Sequence, residues 1–254
     1  MNIVSLINIP SFPRDPGRTP PSETPPPSND LNLGLGNGDN IFAAGSGNDR
    51  IWGNRGNDWI FAGPGNDTVL GGDDNDTLYG NYSYSSSRGA KGDDDQLIGG
   101  RGNDHLITGD GADTLTGGAD NDRFEFSYND PMSGSDRVVT RVTDFDPAED
   151  EIVLDLLDFD RFGRPPSEQG TVGNFINGRS PIFLTNQSYT SASEAAKAAS
   201  HEVRGDILVY CDANGSGAVL AYVDGDNTAH EFGYLENLTM ADVASLTSNH
   251  FDYS

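Results

Sequence analysis

The sequence predicts a mostly β fold: a parallel β-roll built from nonapeptide calcium-binding repeats, followed by a β-rich C-terminal domain with one or two short helices. Three observations predict it. A nine-residue unit recurs between Gly34 and Glu125, with aspartate at its sixth place and an apolar residue two places later. The first six places of each unit are mainly glycine, asparagine and aspartate, residues suited to tight turns, and the last three have the length of a very short strand. The chain is also strongly acidic, with 40 acidic residues against 15 basic ones, a net charge of −25, and only 34% hydrophobic residues. Such a balance excludes nucleic acid as a partner, because nothing neutralises a run of phosphates, and it points to cations.

Residues 1–33 form an N-terminal extension. A short apolar stretch, Ile3 to Ile9, is either a stray strand or unstructured, and eight prolines lie between Pro10 and Pro27. Proline fixes φ and removes a backbone donor, so this stretch reads as an extended linker. The N-terminus has no basic start and no small-residue cleavage site after its apolar run, and so does not read as a cleaved signal peptide. No segment has the roughly 18 consecutive apolar residues of a membrane-spanning helix, which argues against membrane insertion.

Residues 34–125 carry the repeats. In register they read GLGNGDNIF, then, after Ala43 as one extra residue, AGSGNDRIW, GNRGNDWIF, AGPGNDTVL and GGDDNDTLY. An insertion at about 80–92 is expected to break the stack. A degenerate unit ending DDDQLI follows, then GGRGNDHLI, TGDGADTLT and GGADNDRFE. The sixth-place aspartates are Asp39, Asp49, Asp58, Asp67, Asp76, Asp95, Asp104, Asp113 and Asp122. The residues two places later are Ile41, Ile51, Ile60, Val69, Leu78, Leu97, Leu106, Leu115 and Phe124. Alternation along a short strand points that middle residue inward, so winding the chain makes two sheets with an apolar seam. Aspartates one period apart then fall on opposite edges, and those two periods apart stack on the same edge.

Stacked carboxylates repel unless a cation lies between them. Calcium takes six to eight oxygens at about 2.3–2.6 Å, which aspartates and turn carbonyls from neighbouring coils can supply. Glycines Gly36, Gly47, Gly56, Gly65, Gly102 and Gly111 leave those carbonyls unobstructed. Magnesium demands a tighter octahedron, and transition metals would call for histidine or thiolate recurring with the repeat. Asp74 and Asp120 stand where the fourth-place glycine is usual, adding either ligands or only charge.

These units resemble the hemolysin-type calcium-binding repeat of the RTX family, G-G-x-G-x-D-x-U-x, over about Gly34 to Glu125. The resemblance implies a β-roll that binds several calcium ions through the nine aspartates. It leaves the ions beside Ala43 and beside the insertion, and the role of Asp95, open. DFDPAEDEIVL, at 144–154, is similar to the segment that follows the roll in serralysin-like C-terminal domains. The stretch ILVYCDANGSGAVLAYVDGD and the chain's last residues look like the close of type I secretion target domains. The resemblance implies export by a type I secretion apparatus and an extracellular location.

In residues 126–254, Val138–Val142, Ile152–Leu156, Ile207–Tyr210 and Val219–Val223 read as strands. SASEAAKAASHEV reads as a helix with Ser191 as N-cap and Glu194 completing a capping box, and Met240–Leu246 reads as a last short helix. Asp144 and Asp150 read first as turn residues, with ligands of an extra calcium as the lesser reading. Asp212, Asn214 and Ser216 match the start of an EF-hand loop, but Val223 stands at its twelfth place, so a hairpin turn is the better reading. No H-E-x-x-H or G-x-S-x-G is present, and Cys211, the one cysteine, reads as a buried strand residue. The expectation is therefore a secreted calcium-binding protein that folds on binding ions, and not an enzyme. The competing expectations are a calcium-rigidified surface or adhesive protein and, below it, an enzyme with its site in 126–254. Trp52, Trp59, Phe61 and Tyr79 read as packing, or as cover for the roll's outer face, rather than as a ligand platform.

Overall fold

A computed structural model describes residues 30–80, 93–109, 111–127, 139–154, 181–199, 206–225 and 228–253. The apolar stretch 3–9 and nearly all of the proline-rich linker lie outside the described residues, as do 81–92 of the insertion. Alternate strands of the repeat go to alternate sheets, as the nine-residue period requires. One sheet takes β1 (Asn32–Gly34), β3 (Arg50–Arg55), β5 (Thr68–Asp73), β7 (Gln96–Arg101) and β9 (Thr114–Ala119). The other takes β2 (Ile41–Ala43), β4 (Trp59–Phe61), β6 (Thr77–Tyr79), β8 (His105–Thr108) and β10 (Arg123–Phe126). All pairings among these strands are parallel. Between the sheets, Ile51, Val69, Leu97 and Leu115 face Ile60, Leu78, Leu106 and Phe124, and all eight are fully buried. This is the apolar seam expected of a roll, and it gives the otherwise polar repeat its hydrophobic driving force.

Three expectations about register are corrected. First, Ala43 is not an extra residue. Phe42 pairs with Ile60 and is buried, whereas Ile41 pairs with Trp59 and is 36% exposed. The first unit therefore runs one residue later than expected, as 35–43. Second, the insertion does not break the stack. Leu78 pairs with Leu106 and Val69 with Leu97, each 28 residues on where neighbouring coils are 18 apart. Both shifts arise between β6 and β7, and the coil keeps its register across the insertion. Third, the roll begins before residue 34, because β1 already pairs with β3 in the coil's register.

The C-terminal region continues both sheets. In the first sheet, β11 (Thr140–Val142) lies between β9 and β16 (Thr228–Glu236), followed by β15 (Gly217–Gly225), β14 (Ile207–Asp212) and β13 (Ile182–Tyr189). In the second, β12 (Glu151–Leu154) pairs with β10, and β17 (Phe251–Tyr253) pairs with β12. The hairpin from β14 to β15 is antiparallel, with Asp212 Oδ1 accepting from the N–H of Asn214 (2.9 Å) in its turn. That is the hairpin reading of CDANGSGA. Cys211 is buried, and burial pushes its thiol up, as an inert core residue requires.

Helix α1 (Ala192–Ala198) has Ser191 as N-cap, its Oγ accepting from the N–H of Glu194 (3.2 Å). The expected capping box is only half made, because the Glu194 carboxylate takes the N–H and hydroxyl of Thr190 instead. Helix α2 (Met240–Ser245) has the complete box, between Thr239 and Asp242.

Candidate metal centre

Each turn of the roll places its sixth residue where the chain enters a strand. That geometry builds one file of carboxylates along each edge of the coil. On the edge leading into the first sheet, the N–H of Leu31 donates to Asp49 Oδ1 (2.7 Å), Asp49 N–H to Asp67 Oδ1 (2.7 Å), Asp67 N–H to Asp95 Oδ1 (2.9 Å) and Asp95 N–H to Asp113 Oδ1 (2.9 Å). On the opposite edge, Asn40 N–H donates to Asp58 Oδ1 (2.8 Å), Asp58 to Asp76 (2.9 Å), Asp76 to Asp104 (2.8 Å), Asp104 to Asp122 (2.9 Å) and Asp122 to Asp150 (2.9 Å). The structure thus brings Asp49, Asp58, Asp67, Asp76, Asp95, Asp104, Asp113 and Asp122 into two ladders, with Asp95 a regular rung.

Asp39 is the exception. The one-residue correction puts Asn40 at the sixth place and Asp39 at the fifth, where its Oδ1 accepts from the N–H of Asn57 (2.8 Å). It belongs to a second, parallel ladder formed mainly by asparagines: Asn57, Asn75, Asn103 and Asn121 on one edge, and Asp30, Asn48, Asn66 and Asp94 on the other. The same shift puts Gly38 at the fourth place, where the expected register had Asn37, and leaves Gly36 at the second. Gly36 lacks the positive φ of Gly38 (134°), Gly47 (141°), Gly56 (103°), Gly65 (129°), Gly102 (118°) and Gly111 (144°). A side chain is excluded at these places: a Cβ on Gly65 would lie 1.9 Å from the Gly47 carbonyl oxygen. Asp74 and Asp120 take the same conformation, with φ of 81° and 79°, and Asp74 Oδ2 accepts from the N–H of Gly56 (3.1 Å).

Each ladder bond uses one carboxylate oxygen. The other, Oδ2 of Asp49, Asp58, Asp67, Asp76 and Asp104, is buried and has no hydrogen-bond partner. Five such atoms in register are costly unless a cation answers them. On the Asp58 edge they converge with main-chain oxygens. A Cβ on Gly53 would lie 2.4 Å from Asp58 Oδ2 and 2.5 Å from the Gly71 carbonyl oxygen; on Gly99, 2.3 Å from Asp104 Oδ2 and 2.6 Å from the Gly117 carbonyl oxygen. First-place glycine therefore keeps open a small space rimmed by carboxylate and carbonyl oxygens. Among the described residues no three histidine, cysteine, aspartate or glutamate side chains converge on a point. The carboxylates stand in file, so the remaining oxygens of a shell come from the main chain. Such an all-oxygen donor set of mixed carboxylate and carbonyl fits calcium.

Without a cation the ladders strain their own ionisation. Burial, reinforced by the carboxylates on adjoining rungs, raises Asp67, Asp76 and Asp122 to about 7, Asp104 to about 8 and Asp95 to about 9. Asp49 and Asp58 are also raised, mainly by burial.

Asp150 was expected as a turn residue and is both turn residue and rung. Its Oδ1 extends the second ladder, while its Oδ2 accepts from the N–H of Asp146 (2.8 Å). Asp144 accepts from the N–H groups of Gly117 and Gly118 (2.9 Å each), fastening the loop after β11 to the last coil. The first-place glycines Gly53, Gly71, Gly99 and Gly117 were not singled out by the sequence, and Asp150 was named there without its place in a ladder. Counting 18 residues per coil along the whole chain, allowing for the one long turn, finds the glycines.

Comparison with known proteins gives three likenesses. Residues 35–69, 54–82 and 90–124 match the RTX calcium-binding nonapeptide repeat, described as four copies. Nodulation protein O of Rhizobium leguminosarum bv. viciae is 38% identical in an alignment 155 residues long that covers 51% of this chain and 55% of that protein. The chain thus spans about half the length of that curated relative. The AlgE6R3 subunit of the Azotobacter vinelandii mannuronan C5-epimerase is 16% identical, with a TM-score of 0.30, over 91% of this chain and 81% of that one. The half-coils of this roll, with their sixth-place aspartates in two files, are RTX calcium-binding nonapeptide repeats.

Proposed function

We propose that the chain is an exported calcium-binding protein whose roll folds as ions fill its two edges. The observation that carries this reading is the set of five buried, partnerless carboxylate oxygens in register. Asp49, Asp58, Asp67, Asp76 and Asp104 hold the ions through Oδ2, and the glycines leave room for main-chain oxygens beside them. Calcium supplies the positive charge that keeps the buried carboxyls ionised. Extracellular calcium modules typically have dissociation constants of about 10⁻⁴–10⁻³ M. Such sites stay empty at cytosolic calcium levels, and an acidic chain of net charge −25 then repels itself into a loose state suited to a type I secretion apparatus. Outside the cell, a site at a hundredfold excess of calcium over its dissociation constant stabilises the fold by about 2.7 kcal/mol. No catalytic step forms part of this reading.

Circular dichroism of the full chain tests it. With EDTA the β signal of the roll is expected to be largely lost, and to return on adding millimolar calcium but not millimolar magnesium. A protein equally structured in EDTA and calcium overturns the proposal.

One observation favours a second role, presentation of an adhesive face. On the outer side of the second sheet Trp59 is 41% exposed, beside Ile41, and Phe61 stacks on Tyr79 with ring centroids 4.5 Å apart. Fractionation of cells with and without calcium separates a released protein from a surface-held one.

A further inference from the structure

The rungs of the two ladders are not equivalent, and the last rung of each differs from the five whose Oδ2 has no partner. On the first edge the last carboxylate is Asp113, because the next coil places Thr140 beside β9 instead. On the second edge the last carboxylate is Asp150. Both are buried, and both have the second oxygen answered by the chain itself. Asp113 Oδ2 accepts a hydrogen bond from the hydroxyl of Thr108, which is also buried, and Asp150 Oδ2 accepts from the N–H of Asp146. Elsewhere on the first edge the residue in the place of Thr108 is Ala44, Ala62 or Gly80, none with a hydroxyl to offer, and beside the two alanines Oδ2 of Asp49 and Asp67 is left without a partner.

We infer that the calcium files end one rung short of the C-terminal cap on both edges: Thr108 and the Asp146 N–H take the place of an ion at Asp113 and Asp150. The inference rests on the calcium reading above and adds to it which rungs load. A buried carboxylate needs either a cation or donors on both oxygens. At these two rungs the donors are built in, so ion binding would have to displace a hydrogen bond already made. Where the roll meets the cap, the chain thus closes its own ladder and needs no ion to dock the two parts.

Metal counting on the folded full-length protein, by calorimetric titration with calcium and by elemental analysis after dialysis, tests this. Asp113→Asn is expected to leave the number of bound ions unchanged, whereas Asp104→Asn lowers it. Thr108→Ala copies the rung of Ala62 and is expected to add one ion, while Thr108→Ser, which keeps the hydroxyl, adds none. Loss of an ion in Asp113→Asn, or an unchanged count in Thr108→Ala, overturns the inference while leaving the calcium reading standing. A wild-type protein that binds no calcium overturns the reading itself. Circular dichroism in calcium confirms that each variant counted is folded, and the two Thr108 variants decide the question if Asp113→Asn is not.

Discussion

The two edges of the roll do the same work with different materials. On the edge of Asp58, Asp76, Asp104 and Asp122 the first place of every turn is glycine, and the strands leading into these turns, such as Arg50–Arg55 and Gln96–Arg101, are six residues long. On the edge of Asp49, Asp67, Asp95 and Asp113 the first place is Ala44, Ala62, Gly80 and Thr108, after strands of only three or four residues. A methyl group is present at Ala44 and Ala62 on one edge, where a Cβ at Gly80 would meet the Asp95 carboxylate at 2.7 Å; on the other edge a Cβ at Gly53, Gly71 or Gly99 would lie 2.5–2.8 Å from a main-chain carbonyl oxygen as well as against the rung carboxylate. The lesson is that a period of nine in the sequence is a period of eighteen in space, and that odd and even units answer to different sterics.

The largest expected effect tests that difference directly. Gly99→Ala puts a methyl 2.3 Å from Asp104 Oδ2 and 2.6 Å from a carbonyl oxygen, so the rung must shift. A loss of about 1–3 kcal/mol in calcium-loaded stability is expected, together with weaker calcium binding. Ala62→Gly on the other edge is expected to cost under about 1 kcal/mol and to leave binding intact. Equal losses in chemical denaturation would erase the distinction between the edges.

A second effect is common to both edges and sharpens what they share. The rung carboxyls are raised in the fold, to about 9 at Asp95 and about 8 at Asp104, from an ordinary value of 3.8. The folded, calcium-free roll then holds protons that the unfolded chain has released. Its stability is greatest below about pH 4 and falls as pH rises through 7 to 9. In EDTA, circular dichroism is expected to show more β structure at pH 5 than at pH 8, whereas calcium affinity rises over the same window. A calcium-free roll more ordered at pH 8 would contradict this.

The smallest effect concerns the one long turn, which belongs to the edge of Asp95. Replacing 81–92 with two residues restores the ordinary 18-residue spacing between β5 and β7. Loop length enters stability only logarithmically, so a change under about 1 kcal/mol is expected in denaturation. A collapse of the fold would show that the insertion supports the rungs beside it.

Much of this architecture was legible in the sequence. Aspartate at a fixed offset from an aliphatic residue marks both the seam and the rungs, because both follow from one winding period. What was misread lies where the period is locally ambiguous. In GLGNGDNIF both Asp39 and Asn40 suit a ladder, and both Ile41 and Phe42 suit a core. Only pairing with Ile60 on the next coil decides between them. The role of Asp150 was hidden for a related reason: it sits 28 residues after Asp122, in a segment with no repeat, and only sheet continuity shows it to be a rung. Thr108 carries no signal of its own, since its meaning depends on where the Asp113 carboxylate turns.

The unbroken sheet from β1 to β13 has a consequence for how the molecule assembles. Coils of one repeating pattern offer no strongly preferred place to start winding, and a first coil must be closed before any neighbour rewards it. The hairpins β14–β15 and β15–β16 are contiguous in sequence and inexpensive to close, and β16 presents a ready edge to β11. The cap is thus expected to serve as a seed crystal does, with growth from it toward the N-terminus, one coil at a time.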